Sequence, residues 1–261
     1  MRPGEWSRSR YWLNHFLNAR HRRAKAAWDV PACAAATDVA AAAWLGVVTA
    51  RPGIDRAWIA SHAAMRCQGD PAYVQTLRLV GREQQHHRGQ AARLLDRLGL
   101  PRPAPPAETH DWVRPLGVRF CLSLQWMTNI LDSVVLDELA ASCRDPALRT
   151  VAATIAQERR VHTAFITERL ADEFADFHFI RRNLRRWRLR GMLTGLAPRH
   201  LVRQRVLLEA MRLSPLAWTA RTRHRFEATL EQMVPYRRDA LLHLLTHQRE
   251  QPFEQATIRG L

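Results

Sequence analysis

The sequence predicts an all-α protein. Its 261 residues are rich in Ala, Leu and Arg, which are strong helix formers, and include only 11 glycines. No clear run of alternating β-branched residues marks a strand. With 47% hydrophobic residues the chain can bury a substantial core, and nothing in its composition indicates disorder.

Capping residues and breaks in the apolar periodicity divide the chain into helices. The first is basic and contains tryptophan, with Trp12, Leu13, Phe16 and Leu17 on one face. The predicted helices cover about residues 8–28, 30–50, 54–67, 71–98, 116–142, 145–175, 215–232 and 236–249. We therefore expect a basic N-terminal helix (1–28), a helical bundle (29–177), and a basic segment with further helices (178–261).

A proline-rich connector separates two of the long helices. Residues 99–115 contain five prolines and read as extended chain. Seventeen extended residues reach at most about 55 Å, whereas a 28-residue helix is about 42 Å long. The connector is long enough to return along the whole bundle, as a crossover four-helix bundle requires.

Two stretches repeat one pattern, an Asp-Pro pair followed 13 residues after the aspartate by Glu and four further on by His. The residues are Asp70, Glu83 and His87 in the first copy and Asp145, Glu158 and His162 in the second. Aspartate before proline favours a helix start, because Asp caps free N–H groups and Pro fits the first turn. Each copy therefore predicts a long helix with a Glu and a His on one side near its middle.

These helices resemble the ligand-bearing helices of ferritin-like di-iron carboxylate proteins, on the sequences GDPAYVQTLRLVGREQQHH, LLDRLGLP and RDPALRTVAATIAQERRVHTAFITERL. The resemblance covers about residues 30–175. It implies a crossover four-helix bundle holding two irons or an iron–manganese pair. It also implies an O₂-activating, metal-dependent oxidoreductase of the ferroxidase, hydroxylase, desaturase or N-oxygenase type.

The metal ligands that the resemblance implies are incompletely matched. Glu83 and His86 form a literal Glu-x-x-His, but the repeat aligns His87 with His162, which puts Gln84 and Arg159 three residues before the histidines. Glu158 and His162 stand four apart, so a rearranged site is geometrically feasible. The metal-ligand candidates are Glu83, His86, His87, Asp132, Glu158 and His162.

Two further helices of the family each supply one glutamate ligand. On helix 116–142, Asn129 stands where that glutamate is expected, and Asp132 follows one turn later. On helix 30–50, the inward position falls near Val47, and the acid of that helix, Asp38, reads as a surface or first-turn residue favoured by the helix dipole.

Positive charge is concentrated in two segments. Residues 1–28 carry net +6 and residues 178–205 carry nine arginines and no acid, out of a total of +16. In the second segment we expect Ile180, Leu184, Trp187 and Met192 to pack on the bundle, with the arginines solvated. The alternative is binding to an anionic membrane surface or nucleic acid through Arg181, Arg182, Arg185, Arg186, Arg188 and Arg190.

Three hypotheses about function remain open from the sequence. The first is a ferritin-like bundle with a degenerate di-metal site and a non-catalytic or accessory role, which needs no cofactor. The second is an active oxidase or oxygenase with iron or manganese in a rearranged site and a small organic substrate in the bundle. The third is a basic protein working through its Arg-rich segments. A homodimer is compatible with each.

Location is predicted from what the sequence lacks. No apolar run reaches the roughly 18 residues of a membrane span, and the arginine-containing N-terminus does not resemble a secretory signal. The four cysteines are widely spaced without a CxxC pair, so we expect buried thiols in a reducing compartment. These features predict a cytoplasmic protein, with peripheral attachment to a membrane as an alternative.

Overall fold

The computed structural model describes residues 5–19, 26–33, 35–50, 70–103, 117–175 and 179–234. This part of the chain contains helices and no strand, which confirms the all-α prediction. The predicted helices at 54–67 and 236–249 lie outside the described residues. The described helices are α1 (Glu5–Ala19), α2 (Ala36–Ala50), α3 (Pro71–Arg97), α4 (Gly117–Ser142), α5 (Pro146–Ala175), α6 (Phe179–Ala210) and α7 (Pro215–Met233).

The two Asp-Pro pairs start α3 and α5 as predicted. Asp70 Oδ1 accepts a hydrogen bond from the Tyr73 backbone N at 2.9 Å, and Asp145 Oδ1 accepts one from the Leu148 backbone N at 2.8 Å. Both aspartates are buried. Their burial is tolerated because the second carboxylate oxygen of each also accepts a hydrogen bond from another segment of the chain. Ser9 of α1 donates to Asp70 Oδ2 at 2.5 Å, and the Cys33 backbone N donates to Asp145 Oδ2 at 3.1 Å.

Ion pairs at both ends show that α3 and α5 are antiparallel. Arg97, at the end of α3, lies 3.2 Å from Asp145 at the start of α5, and Arg169, near the end of α5, lies 4.0 Å from Asp70. α4 and α5 are joined by a short turn and are also antiparallel. α3 and α4 therefore run in the same direction.

α1 packs against α3 and α5. Trp12 and Phe16 are buried against Phe165 of α5, and the indole N of Trp12 donates to Glu168 at 3.0 Å. The predicted apolar face is only partly correct, because Leu17 is 40% exposed. Residues 26–28, at the end of the predicted helix, are not helical, and residues 20–25 lie outside the described part of the chain.

α2 packs against α3 and contacts the turn between α4 and α5. Asp38 is fully buried in the first turn of α2, and its Oδ1 accepts a hydrogen bond from the Arg144 backbone N at 3.0 Å. The first-turn position agrees with the sequence, but the residue is not on the surface.

The predicted packing face of α6 is wrong for three of its four residues, and only Met192 packs against the core as expected. Ile180, Leu184 and Trp187 are exposed, whereas Leu189 and Arg186 are buried. Two arginines that bind α7 and the residue after it account for this orientation. Arg186 binds Glu231 and the Val234 carbonyl. Arg190 makes a bidentate contact with Glu227 at 2.7 and 2.9 Å. These contacts turn the opposite face of α6 toward the core.

No helix within the described ranges is both long and apolar enough to cross a membrane.

Close packing of α2 on α3 at Gly46 yields a testable prediction. A Cβ at this position would lie 2.7 Å from Cδ1 of Leu95, a buried core side chain, whereas a Cβ at Gly89 would meet nothing within 4 Å. Both substitutions to alanine gain the same helix propensity. We expect Gly46→Ala to be less stable than Gly89→Ala by about 1–3 kcal/mol because of overpacking. Urea unfolding of both variants measures this difference, and equal stabilities would contradict the contact.

Candidate polar site between helices α3 and α5

The repeated Glu and His residues meet in two reciprocal pairs. His162 Nε2 of α5 donates to Glu83 Oε2 of α3 at 2.7 Å, and His87 Nε2 of α3 donates to Glu158 Oε2 of α5. The two imidazole centroids are 6.4 Å apart. The pairing follows from the antiparallel arrangement, because Glu and His four residues apart on each helix meet the same two residues in reverse order.

The four side chains are buried, with His162 fully enclosed and Glu158 the most accessible at 9%. Burial lowers the pKa of His87 from 6.5 to about 4, although the hydrogen bond and charge of Glu158 oppose the change. The nearby His162 and Arg159 lower it further. His87 is therefore neutral at pH 7.

The His162 ring is held by its hydrogen bond to Glu83 and by an aromatic contact. Phe16 of α1 lies against it with centroids 5.7 Å apart and planes inclined by 30°. Its Nδ1 is buried and has no hydrogen-bond partner within the described part of the chain.

A cavity of about 790 Å³ reaches these pairs from the side of α1. Glu83 and Glu158 form part of its wall, so both carboxylate-bearing residues border the space. The rest of the wall is mixed in polarity. It includes Tyr11, Asn14, His15 and Phe16 from α1 and Arg149, Thr150, Thr154 and Gln157 from α5.

The other two predicted ligands have different surroundings. His86 is exposed, as expected for a residue about 100° around the helix from the buried His87. Asp132 is fully buried in a second polar cluster, where it binds Arg159 at 2.7 Å and Gln204 at 3.3 Å. His200 Nδ1 lies 3.5 Å from the same carboxylate. Four of the six predicted ligands thus come together as Glu–His pairs.

Sequence reasoning missed the second cluster. Gln204 and His200 are 72 and 68 positions from Asp132, and they belong to the basic segment, from which only arginines and apolar residues were expected to make contacts. No local motif links such distant residues. A weak signal was available in Arg159, because a guanidinium next to an inward glutamate needs a buried acid.

The donor set does not fit a di-iron carboxylate centre. Asn129, at the position expected for a ligand glutamate, accepts a hydrogen bond from Gln125 at 2.8 Å, and Val47 is 48% exposed. Two carboxylates remain beside the histidines, too few to offset two divalent cations. In the described residues, no group of three or more His, Cys, Asp or Glu side chains is arranged to hold a metal ion.

Two cysteines behave as buried thiols, as predicted. Cys121 and Cys143 are free and buried, and burial raises their thiol pKa values to about 11 and about 12. Cys33 is free and partly exposed, and Cys67 lies outside the described residues.

No family model matches the chain, and searches of curated proteins and of solved structures give no significant match.

The pKa of His87 predicts how stability depends on pH. Unfolding restores a pKa near 6.5, so between pH 6.5 and 4 the unfolded chain binds more protons and stability falls with acidification. The contribution from His87 is about 3 kcal/mol in total. Urea unfolding at pH 7.5, 5.5 and 4 should show a smaller loss for His87→Gln than for the parent. His224→Gln, at an exposed histidine of α7, is the control and should keep the parental slope; equal slopes in all three proteins would contradict the buried neutral imidazole.

The buried Asp132–Arg159 pair predicts strong coupling. Asp132→Asn strands a guanidinium whose side chain is only 11% exposed, which should cost about 3–5 kcal/mol. Arg159→Met in the same chain should recover most of that loss. The control cycle uses Asp137 and Arg160, the same residue types on the same two helices, with Arg160 62% exposed. There the coupling should stay below about 1 kcal/mol, and similar couplings in both cycles would refute the separate buried cluster.

Proposed function

We propose that this chain is a ferritin-like bundle protein whose di-metal site is degenerate, and that it acts as a binding or accessory protein instead of an oxidase. The parallel direction of α3 and α4 supports the bundle, because a connection between them must return along its length, as a crossover requires. The ligand-bearing positions of that fold correspond to the reciprocal Glu–His pairs.

The observation that carries the proposal is the reciprocal pairing of the four polar side chains. Each histidine Nε2 donates to a glutamate of the other helix, so the two pairs hold each other without a cation. The nearest additional carboxylate among the predicted ligands, Asp132, binds Arg159. A metal would have to break both Glu–His hydrogen bonds and would gain few anionic ligands in return.

The cavity indicates what such a protein binds. Its wall contains Glu83 and Glu158 together with Arg149 and with aromatic and aliphatic surface. Opposite charges attract most strongly in such partly desolvated surroundings. A small organic molecule with an apolar body and a basic nitrogen fits this wall best.

Metal content tests the non-catalytic role. Protein prepared without chelators is incubated with excess Fe(II) or Mn(II), desalted and analysed for metal, and oxygen uptake is recorded with Fe(II). We expect well under one metal per chain and no uptake above that of buffer. Two metals per chain, lost in both Glu83→Ala and His162→Ala, would establish the active oxidase or oxygenase instead.

Thermal unfolding with a matched pair of probes tests the ligand class. Hexylamine and hexanoate have equal chain lengths and opposite charges, and we expect hexylamine alone to raise Tm, by about 2–4 °C at several times its Kd. Glu158→Gln should lose this shift. Glu138→Gln, which removes a carboxylate bound to Arg221 outside the cavity wall, should retain it. A larger shift with hexanoate, or no change in Glu158→Gln, would contradict the proposal.

A further inference from the structure

α6 carries an exposed apolar stripe along its length. Its members are Ile180, Leu184, Trp187, Val202 and Val206, which are 69, 51, 72, 75 and 73% exposed. At 100° per residue they fall within about 100° of arc on a straight helix, on the side opposite the buried Leu189 and Leu207. With a rise of 1.5 Å per residue the exposed stripe spans about 39 Å, as two apolar groups, 180–187 and 202–206, that are 15 positions apart.

A row of arginines borders one side of the exposed stripe. Arg181, Arg188, Arg199 and Arg203 are exposed, and their helical positions lie next to the stripe within a narrow arc. None of the four forms an ion pair or hydrogen bond with another described residue. Residues 178–205 contain no acid, so this row produces a positive potential beside an apolar surface.

The remaining arginines of the segment are occupied by the protein itself. Arg186 and Arg190 bind Glu231 and Glu227 of α7, and Arg185 lies 3.2 Å from Ser123 and packs over the Phe174 ring. Arg182 donates to the Ala175 carbonyl. Of the six arginines that the sequence suggested for binding an anionic surface, Arg181 and Arg188 are the ones on the free face.

The chemistry of the partner follows from these two features together. Arginines beside the stripe require an anionic partner, and an apolar stripe with a tryptophan requires a partner that offers an apolar phase. Nucleic acid offers the charge without the apolar phase. A second copy of the chain would bring its own arginine row against the first, which like-charge repulsion disfavours. The exposed acid at the stripe's end, Glu209, is paired with Arg205 at 2.7 Å.

We propose that α6 is a peripheral membrane-binding surface that lies flat on an anionic lipid leaflet. Ile180, Leu184 and Trp187 enter the boundary between headgroups and acyl chains, and Arg181 and Arg188 bind the lipid phosphates and carboxylates. Arg199 and Arg203, with Val202 and Val206, extend the contact beyond Pro198. This role is independent of the cavity and its ligand.

Co-sedimentation of the full chain with vesicles tests the proposal. Phosphatidylcholine vesicles with 30% phosphatidylserine should bind the protein, pure phosphatidylcholine should bind it weakly, and raising the salt from about 0.1 to 0.5 M should release it. Arg181→Glu with Arg188→Glu should weaken binding at least about tenfold. The control, Arg78→Glu with Arg82→Glu, makes the same change in net charge at exposed positions of α3 and should stay within about twofold.

The apolar half of the surface needs its own variant. Trp187→Ser should weaken binding to the anionic vesicles several-fold while leaving Tm unchanged, since the side chain is 72% exposed. Equal loss of vesicle binding in the Arg181/Arg188 variant and in the Arg78/Arg82 control would show that only net charge matters, and would overturn the proposal. Undiminished binding by Trp187→Ser together with a salt-sensitive gel shift of nucleic acid would assign the surface to nucleic acid. Conversion of a dimer to a monomer by Trp187→Ser would assign it to a second copy.

Discussion

The reciprocal Glu–His pairs between α3 and α5 are the interaction on which the rest of the structure depends. Four ionisable side chains are buried near the centre of two long helices, and their burial is tolerated because each is hydrogen-bonded to a partner on the other helix. A shift of either helix by one residue would break both pairs. The pairs therefore fix the register that lets Arg97 and Arg169 reach the capping aspartates at the two ends.

The polar interior is divided into two separate clusters. Arg159 follows Glu158 directly, yet its guanidinium binds Asp132 in the cluster with Gln204 and His200. The Glu–His pairs then consist of a neutral His87 and two carboxyl groups on a cavity wall. They join α3 to α5, and the proposed basic ligand would contact them from the cavity.

Local signals made much of this predictable. The Asp-Pro caps located α3 and α5, and the equal spacing of Glu83, His87, Glu158 and His162 indicated that they would meet. The packing face of α6 was not predictable in the same way, because its apolar residues follow helical spacing whether they pack or remain exposed. Its orientation depends on Glu227 and Glu231, about 40 residues away, and no local pattern reveals which arginines those acids bind.

Long-range ¹⁵N–¹H NMR of the histidine rings is the most direct test of the central claim, that the pairs are hydrogen-bonded units and do not coordinate metal. At pH 7 the account predicts a slowly exchanging Nε2–H on both His87 and His162, and a neutral ring for His87. One equivalent of Zn²⁺ should leave these signals unchanged. Loss of either Nε2–H on adding Zn²⁺, with the ring nitrogen shifting to a metal-bound position, would contradict the account.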